Sequence, residues 1–361
     1  MASLIRRAAF AAVIGASVTA CAQTPDTTAT LATRSIPIKV VVVTMFEIGQ
    51  DTGDRPGEFQ LWVERLGLPE TLPFPQGARS LRYNPEKGVL GLVTGIGTAK
   101  SAASIMALGM DPRFDLSRAY WLVAGISGAN PHAMSLGSAA WAEWVVDADL
   151  GHEIDAREIP KDWSTGKIPL RKQQPFQQPL PADNEGAVFH LNAGLAEWAY
   201  RLTKDTKLDD MDSLQELRRR YVGMPDAQKP PSVIKGDNLD GQTFWHGKLL
   251  NDWAERWVDY WTQGHGRFAT SAMEDTGTAM ALTFLTKAGR ADVNRLMVLR
   301  TASNYVMQYP GITAAQSLSG EKKGNYSAYI PAVEAAYRVG SRVVNELSAN
   351  WQRYADQPPS R

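Results

Sequence analysis

The chain of 361 residues contains one cysteine, Cys21, and five histidines. A single cysteine near the start leaves the rest of the chain without a disulfide or thiol chemistry. The histidines show none of the close spacings, such as His-x3-His, that zinc sites use. A Gly-x-Ser-x-Gly turn is also missing, which argues against an acyl-transfer hydrolase. The sequence therefore predicts no metal site and no resident cofactor.

An excess of positive charge is missing too. Lysine and arginine total 38, aspartate and glutamate total 38, and the formal net charge is zero. Nucleic-acid binding needs clustered basic residues that neutralise phosphates, so we expect no nucleic-acid partner. With 44% hydrophobic and 21% charged residues, the composition is that of a globular protein with ample material for a core.

Long hydrophobic runs are the third absence. After the first residues the apolar runs, such as residues 40–43, have the length of a strand, so we expect no membrane span in the mature chain. Arg6 and Arg7 precede a short apolar stretch, residues 8–20, in the pattern of an export signal. We predict a signal peptide over residues 1–22 and a linker over residues 23–35.

The residues around Cys21 are compatible with two locations of the mature protein. Val18-Thr19-Ala20-Cys21 resembles the lipobox of bacterial lipoproteins, in which the cysteine is acylated and anchors the chain. Alternatively, Ala20-Cys21-Ala22 is a plain cleavage site. The protein is then expected in the periplasm or anchored by lipid to the cell envelope.

Strand and helix patterns alternate along the chain, as in an α/β sheet. The β-branched run at residues 38–43 is typical of a strand buried on both faces of a largely parallel sheet. Residues 160–231 are rich in proline, glutamine and charge, and we interpret them as an elaboration over the core. The other predicted strands are residues 88–93, 120–124, 138–146, 232–234 and 295–300; the predicted helices are residues 59–66, 99–108, 194–203, 214–221, 248–260, 275–287 and 330–351.

Glycines and polar residues follow several of these strands, where open α/β sheets bind ligands. Gly95, Gly97 and Thr98 open a helix, whose N–H groups suit an anion or a hydroxyl, although a structural turn has the same pattern. Neither a dinucleotide fingerprint nor a P-loop fits this stretch. In the loop at residues 49–57, Arg55 is a candidate anion contact, and a solvated loop is the alternative.

Two later segments suit a nucleoside. Met273 and Glu274 precede a helix, where a carboxylate either caps the helix or accepts hydrogen bonds from sugar hydroxyls. Ser303 and Asn304 follow a buried strand, and an asparagine can bond a purine edge through both donor and acceptor. A buried, hydrogen-bonded loop is the alternative for that segment.

Taken in order, six segments resemble the nucleoside phosphorylase and nucleosidase superfamily. Within it, the sequence is most similar to the purine nucleoside permeases. The resemblance covers residues 36 to about 351. The segments are Val41-Val42-Val43-Thr44-Met45, Thr94-Gly95-Ile96-Gly97, Ala124-Gly125-Ile126-Ser127-Gly128, Ile234-Lys235-Gly236-Asp237, Ala272-Met273-Glu274 and Arg300-Thr301-Ala302-Ser303-Asn304.

The resemblance implies a fold and a set of site residues. The fold is a nucleoside phosphorylase-like three-layer α/β/α domain over residues 36–351, with a mixed central sheet and a helical, Trp-rich insertion. Purine nucleosides are the implied ligands, with phosphate as an optional co-substrate, and a homo-oligomer is left open. The implied roles are ribose binding by Met273 and Glu274, purine binding by Ser303 and Asn304, phosphate or water binding by Gly95, Gly97, Thr98 and Arg55, a central Gly-rich segment with Gly125, Ser127 and Gly128, and catalysis by Asn304 and Glu47.

Two functions follow from this resemblance. One is an enzyme that cleaves the N-glycosidic bond by phosphorolysis or hydrolysis, a glycosyltransferase-type reaction that supports nucleoside uptake. The other is a binding protein that acts in transport with a separate membrane partner. Asn304 keeps both open, because the nucleosidases carry at this place an aspartic acid that protonates the departing base, and asparagine has no titrating proton. A structural domain with a decayed site is a third alternative.

Overall fold

The computed structural model describes residues 35–320 and 326–360. The predicted signal peptide, Cys21 and all but the last residue of the predicted linker lie outside these ranges. The strands are β1 Ile36–Pro37, β2 Val40–Thr44, β3 Glu70–Leu72, β4 Leu81–Asn84, β5 Val89–Val93, β6 Phe114–Asp115, β7 Tyr120–Ala129, β8 Ala139–Ala142, β9 Trp144–Asp147, β10 Gly151–Glu153, β11 Lys167–Pro169, β12 Val188–His190, β13 Val233–Lys235, β14 Asp237–Asp240, β15 Phe268–Ala272 and β16 Leu296–Tyr305.

The helices are α1 Thr98–Gly109, α2 Ala193–Thr203, α3 Asp212–Arg219, α4 Lys248–Thr262, α5 Asp275–Lys287, α6 Ala314–Gly320, α7 Tyr329–Ala349 and α8 Trp351–Tyr354. A π-helical turn covers Trp62–Gly67, where the sequence predicts an α-helix over residues 59–66, and a 3-10 turn covers Val293–Arg295. Of the helices in the described ranges, none has both the length and the apolar character that a bilayer crossing requires.

A mixed sheet of twelve strands forms the centre of the molecule. Its main path runs β12-β9-β14-β15-β7-β2-β5-β4-β3, and β16 joins β7 to β8, which in turn pairs with β13. Strand β2 is parallel to both β5 and β7, and β16 is parallel to β7, whereas β15 runs antiparallel to β7. The long central strand β7 thus has neighbours of both directions, and its carboxyl end meets elements from distant parts of the chain.

Helices cover both faces of this sheet. Val41 and Val43 of β2 pack in one hydrophobic cluster with side chains of α1 and α5, and Val40 and Val42 pack in another with α2 and α7. Successive side chains of a strand point to opposite faces, so a run without polar residues demands an apolar layer on each side. The predicted three-layer α/β/α fold with a mixed sheet is confirmed.

The Trp-rich segment forms helix α4, as the sequence predicts. Trp253, Trp257 and Trp261 are buried and pack together against β14 and β15 through Leu239 and Phe268. The three tryptophans lie four residues apart, so they form one face of the helix. This layer packs on β14 and β15, and β15 leads into the predicted sugar-binding residues.

Three strand predictions need correction. The predicted strands end at residues 124 and 300, but β7 continues to Ala129 and β16 to Tyr305, because the two pair in parallel along their whole length. The stretch at residues 138–146 is two strands rather than one. The break lies at Glu143, where the backbone N–H groups of Glu143 and Trp144 both donate to the Asp237 carboxylate, at 3.0 and 2.8 Å.

Candidate functional site

The predicted purine-binding residues lie where β16 meets the central Gly-rich segment of β7. Asn304 is paired with Gly128, and a β-bulge interrupts the pairing between Ala302 and Asn304. The Ser303 hydroxyl donates to the Ser127 carbonyl at 3.0 Å and to Asn304 Oδ1 at 2.8 Å. The structure therefore brings Ser127, Gly128, Ser303 and Asn304 together.

The predicted ribose-binding residues meet the Gly-rich loop before α1. Glu274 follows β15 and is 4% exposed, and one of its oxygens accepts the Gly97 N–H at 2.9 Å. The Thr98 hydroxyl donates to the Met273 carbonyl at 2.9 Å. Four predicted residues, Gly97, Thr98, Met273 and Glu274, thus form a second group.

Arg300, fully buried on β16, connects the two groups. Its guanidinium donates to Glu274 at 2.9 Å, to both oxygens of Asp275, and to the Ile126 carbonyl at 3.3 Å. Asp275 in turn accepts the side-chain amide of Asn238 at 2.7 Å. No role for Arg300 follows from the sequence alone, although an arginine in a buried strand indicates a charged partner in the core.

A further buried carboxyl, Asp240 at the end of β14, caps helix α5. Its oxygens accept the N–H groups of Asp275 and Thr276, both at 3.0 Å, and the Thr276 hydroxyl at 2.6 Å. Burial raises the pKa of Asp240 to about 8, and the neighbouring Asp275 and Glu274 add to the shift. Asp240 fixes the start of α5. It thereby also fixes the position of Glu274, which lies one residue before the helix.

Glu58, from the loop after β2, completes the charged cluster. Its two oxygens accept the N–H groups of Met45 at 2.8 Å and Ile126 at 2.7 Å. Burial raises the pKa of Glu58 to about 8, although Arg300 acts in the opposite direction. Gly125 makes this arrangement possible, because a Cβ there would lie 2.6 Å from Glu58 and 2.9 Å from Arg300.

Glu47, the predicted catalytic acid of the same loop, has a different environment. Its carboxylate accepts backbone N–H groups from Ile48 and Phe59 at 2.8 Å, from Gln60 at 2.5 Å, and from Gly57. The pKa of Glu47 is raised, because the effect of burial exceeds that of these four hydrogen bonds, which lower it. Glu47 therefore holds the first loop in shape, while Glu58 is the carboxyl of that loop beside Arg300. No sequence motif separates the two.

A cleft of about 220 Å³ opens beside the Gly-rich loop. It is lined by Met45, Phe46, Glu47, Ala78, Arg79, Val93, Gly95, Ile96 and Lys100. Arg79 is bonded to Asp51 at 2.9 Å and to the carbonyl of Gly49 at 2.8 Å. Arg55 is not among the lining residues: its guanidinium lies over the ring of Tyr329, 5.0 Å from the centroid. The structure thus places Arg79 and Lys100, rather than the predicted Arg55, next to Gly95.

The protonation of Glu58 gives a pH-dependent stability. In the folded protein Glu58 keeps its proton up to about pH 8, whereas in the unfolded chain it loses it near the ordinary value of 4.5. Between these values the folded state binds one more proton, so the free energy of unfolding falls as the pH rises, by at most about 1.4 kcal/mol per pH unit. We expect a weaker pH dependence in Glu58→Gln, measured by urea unfolding at pH 6, 7 and 8.

Glu86→Gln, which removes an exposed carboxylate, is the control and should keep the slope of the parent. An unchanged slope in Glu58→Gln would mean that Glu58 is ionised at neutral pH. Asp240 contributes a slope of the same sign, so the dependence in Glu58→Gln should decrease without vanishing.

Within the described ranges, no group of three or more His, Cys, Asp or Glu side chains is arranged to hold a metal ion. The acidic cluster instead uses a cation of the chain itself. Three carboxyl groups, those of Glu58, Glu274 and Asp275, surround the guanidinium of Arg300, and Asp240 lies next to Asp275 and Glu274. Charge in this site is balanced by shared protons and one arginine.

The fold is similar to that of solved nucleosidases and a related hydrolase. A futalosine hydrolase of Helicobacter pylori aligns with a TM-score of 0.51 and 14% identity, over 86% of this chain and 98% of that chain. A 5′-methylthioadenosine/S-adenosylhomocysteine nucleosidase of Colwellia psychrerythraea, solved in complex with adenine, aligns with a TM-score of 0.51 and 13% identity, over 86% and 96%. At these identities the likeness establishes the nucleoside phosphorylase-like fold.

Curated relatives share more of the sequence. A probable purine nucleoside permease of Schizosaccharomyces pombe is 26% identical over 339 residues, which are 87% of this chain and 90% of the relative. A purine nucleoside permease of Candida albicans is 27% identical over 320 residues, 87% of this chain and 76% of the relative. The profile of the family described as purine nucleoside permease (NUP) matches residues 37–359. The chain belongs to the purine nucleoside permease family.

Proposed function

We propose that the protein binds purine nucleosides and cleaves their N-glycosidic bond. One observation carries this proposal: Gly128 of β7 is paired with Ser271 of β15 on one side and with Asn304 of β16 on the other. Glu274 follows Ser271 by three residues, about 10 Å of extended chain. The amide for a purine edge and the strand that leads to the carboxylate for sugar hydroxyls therefore flank the same glycine, in a family whose members are named for purine nucleosides.

Each group has spare hydrogen-bonding capacity for this role. A carboxylate oxygen accepts more than one hydrogen bond, so Glu274 can take ribose hydroxyls while it keeps the Gly97 N–H and Arg300. The side-chain amide of Asn304 donates to the Tyr305 carbonyl at 3.3 Å and has a second hydrogen for a purine nitrogen. A preorganised donor at that place stabilises the negative charge that the departing purine gathers.

The surroundings of Glu58 support cleavage over binding alone. Cleavage requires a group next to the sugar that exchanges protons with the reacting atoms. A carboxyl with a pKa of about 8 gives a proton in its neutral form and takes one in its ionised form. Glu58 lies beside Arg300, and Arg300 donates directly to Glu274, the carboxylate that we propose binds the sugar. We assign the acid–base role of the first loop to Glu58 in place of Glu47, whose carboxylate is committed to backbone N–H groups.

A nucleoside-binding protein that works with a membrane partner is the second candidate. Asn304 favours it, because an amide has no titrating proton to give to a departing base. In both cases we propose that residues 1–22 direct export, with Cys21 as the lipid anchor if it is acylated, and that the domain supports nucleoside uptake from the periplasm or the envelope.

Incubation of the purified protein with inosine, adenosine and guanosine, with and without phosphate, tests the proposal. We expect free purine to appear. Asn304→Ala should weaken nucleoside binding about 2- to 12-fold, since a neutral hydrogen bond contributes about 0.5–1.5 kcal/mol. Asn294→Ala, on the surface, is the matched control. Binding without release of purine would favour the second candidate, and neither binding nor release would refute both.

A further inference from the structure

Gln242 lies in the segment that follows β14, and the chain holds it next to the sugar-binding residues. The backbone N–H of Gln242 donates to the Asp149 carboxylate. The preceding residue, Gly241, donates its N–H to the carbonyl of Ala272 at 3.0 Å. Ala272 ends the strand that leads into Met273 and Glu274. The hydrogen bond between Gly241 and Ala272 therefore fixes Gln242 relative to the Glu274 carboxylate.

The side chain of Gln242 reaches the start of α1. Its amide oxygen accepts the N–H of Thr98 at 3.1 Å. The same oxygen occupies the space that a Cβ on Gly97 would need, and Gly97 has a φ of 103°. A side chain at residue 97 would therefore be strained and would displace Gln242, so the glycine permits this contact.

The N–H groups of Gly97 and Thr98 at the start of α1 are thus both used within the chain. Gly97 donates to Glu274 and Thr98 donates to Gln242. N–H groups at the start of a helix are where enzymes commonly hold a phosphate. We propose that the amide oxygen of Gln242 takes the place of a phosphate oxygen at the start of α1, so that the nucleoside is attacked by water and not by phosphate.

The charge of the site supports this choice of nucleophile. Three carboxyl groups already share the guanidinium of Arg300, and an added phosphate would bring further negative charge beside Glu274. Arg79 in the adjoining cleft is bonded to Asp51 and to backbone carbonyls, which leaves Lys100 as the cation there. Water and the neutral amide of Gln242 add no charge.

The inference rests on the proposed cleavage for its chemistry. The water oxygen bonds to the sugar carbon C1′ while the bond from C1′ to the purine nitrogen breaks, and the electron pair of that bond stays on the purine. The water loses one proton and the purine gains one, so the products are a free purine and ribose. A phosphate nucleophile would instead give ribose 1-phosphate.

Two measurements on the full-length protein and three variants test the role of Gln242. One is calorimetric titration with inorganic phosphate; the other is identification of the sugar product from inosine in phosphate buffer. We expect the parent to bind no phosphate at millimolar concentration and to release ribose. Gln242→Ala should bind phosphate at least about tenfold more tightly than the parent and form some ribose 1-phosphate. The neighbouring Thr243→Ala should behave as the parent. Gln242→Glu, which keeps an acceptor at Thr98 and adds negative charge, should bind no phosphate.

Phosphate binding by the parent, or ribose 1-phosphate as its product, would overturn the inference while leaving the proposed function intact. Loss of that binding in Lys100→Ala would then place the anion in the cleft beside Gly95. Failure of Gln242→Ala to gain phosphate binding would also overturn it. The absence of nucleoside binding and of purine release would refute the proposed function, and the phosphate titrations would still decide the role of Gln242.

Discussion

Glu274→Gln is expected to lose most of the affinity for purine nucleosides while the fold remains. The substitution preserves size but replaces a carboxylate by an amide with one acceptor oxygen. Hydrogen bonds to charged groups contribute about 1.5–3 kcal/mol each, so every ribose hydroxyl that loses its carboxylate costs roughly 10- to 150-fold in affinity. Calorimetric titration with inosine and adenosine measures the loss, and circular dichroism checks the fold.

Glu255→Gln is the matched control for this substitution. Glu255 is partly buried and, like Glu274, hydrogen-bonded: it accepts the side-chain amide of Asn130 at 2.9 Å, but it lies on α4 away from the Arg300 cluster. The control should bind nucleosides like the parent. Parental affinity in Glu274→Gln would show that the sugar is held elsewhere, and it would remove the main support for the proposed site.

Arg300→Met should destabilise the fold more than any other single change considered. The guanidinium is 1% exposed and neutralises Asp275 and Glu274, so its removal leaves buried carboxylates without a cation. Breaking a buried ion pair by removing one partner costs about 3–5 kcal/mol. Because protonation relieves the unpaired carboxylates, we expect the deficit to shrink as the pH is lowered. Urea unfolding at pH 5 and pH 8 gives both quantities.

Arg338→Met provides the comparison at the surface. Arg338 pairs with Asp209 at 2.8 Å through a side chain that is 37% exposed, and such pairs contribute about 0–1 kcal/mol. Its loss should therefore change the free energy of unfolding little at either pH. Equal effects of the two substitutions would mean that Arg300 is not the cation on which the buried carboxyls depend.

The sequence predicts the strands and helices that carry the site better than it predicts the contacts between the charged side chains of the site. Four successive valines at residues 40–43 specify a strand between two apolar layers, which α1 with α5 and α2 with α7 supply. Met273, Glu274 and Asn304 could be selected because each stands next to a strand or helix boundary. The sequence predicts ends for β7 and β16 that are too early. The glycine and polar residues after positions 124 and 300 suggest a loop unless a parallel partner strand is known.

The roles of Glu47 and Glu58 could not be separated from sequence. Both lie in the loop after β2, and only the folded chain shows that four backbone N–H groups converge on the first, while Met45, Ile126 and Arg300 surround the second. The contact between Gln242 and Thr98 joins residues 144 positions apart. A single sequence has no local pattern for a contact of that separation.

The pairing of β7 with β16 also determines how the molecule folds. The hydrogen bond from Ser303 to Ser127 spans 176 positions, and the bond from Gly97 to Glu274 spans 177. Contacts of such high sequence separation form slowly, because a long loop must be closed before they are gained. A chain truncated before residue 296 would lack Asn304, Arg300 and a neighbour of its central strand together. Ligand-binding competence should therefore appear late in refolding, together with the closing of the sheet and not gradually before it.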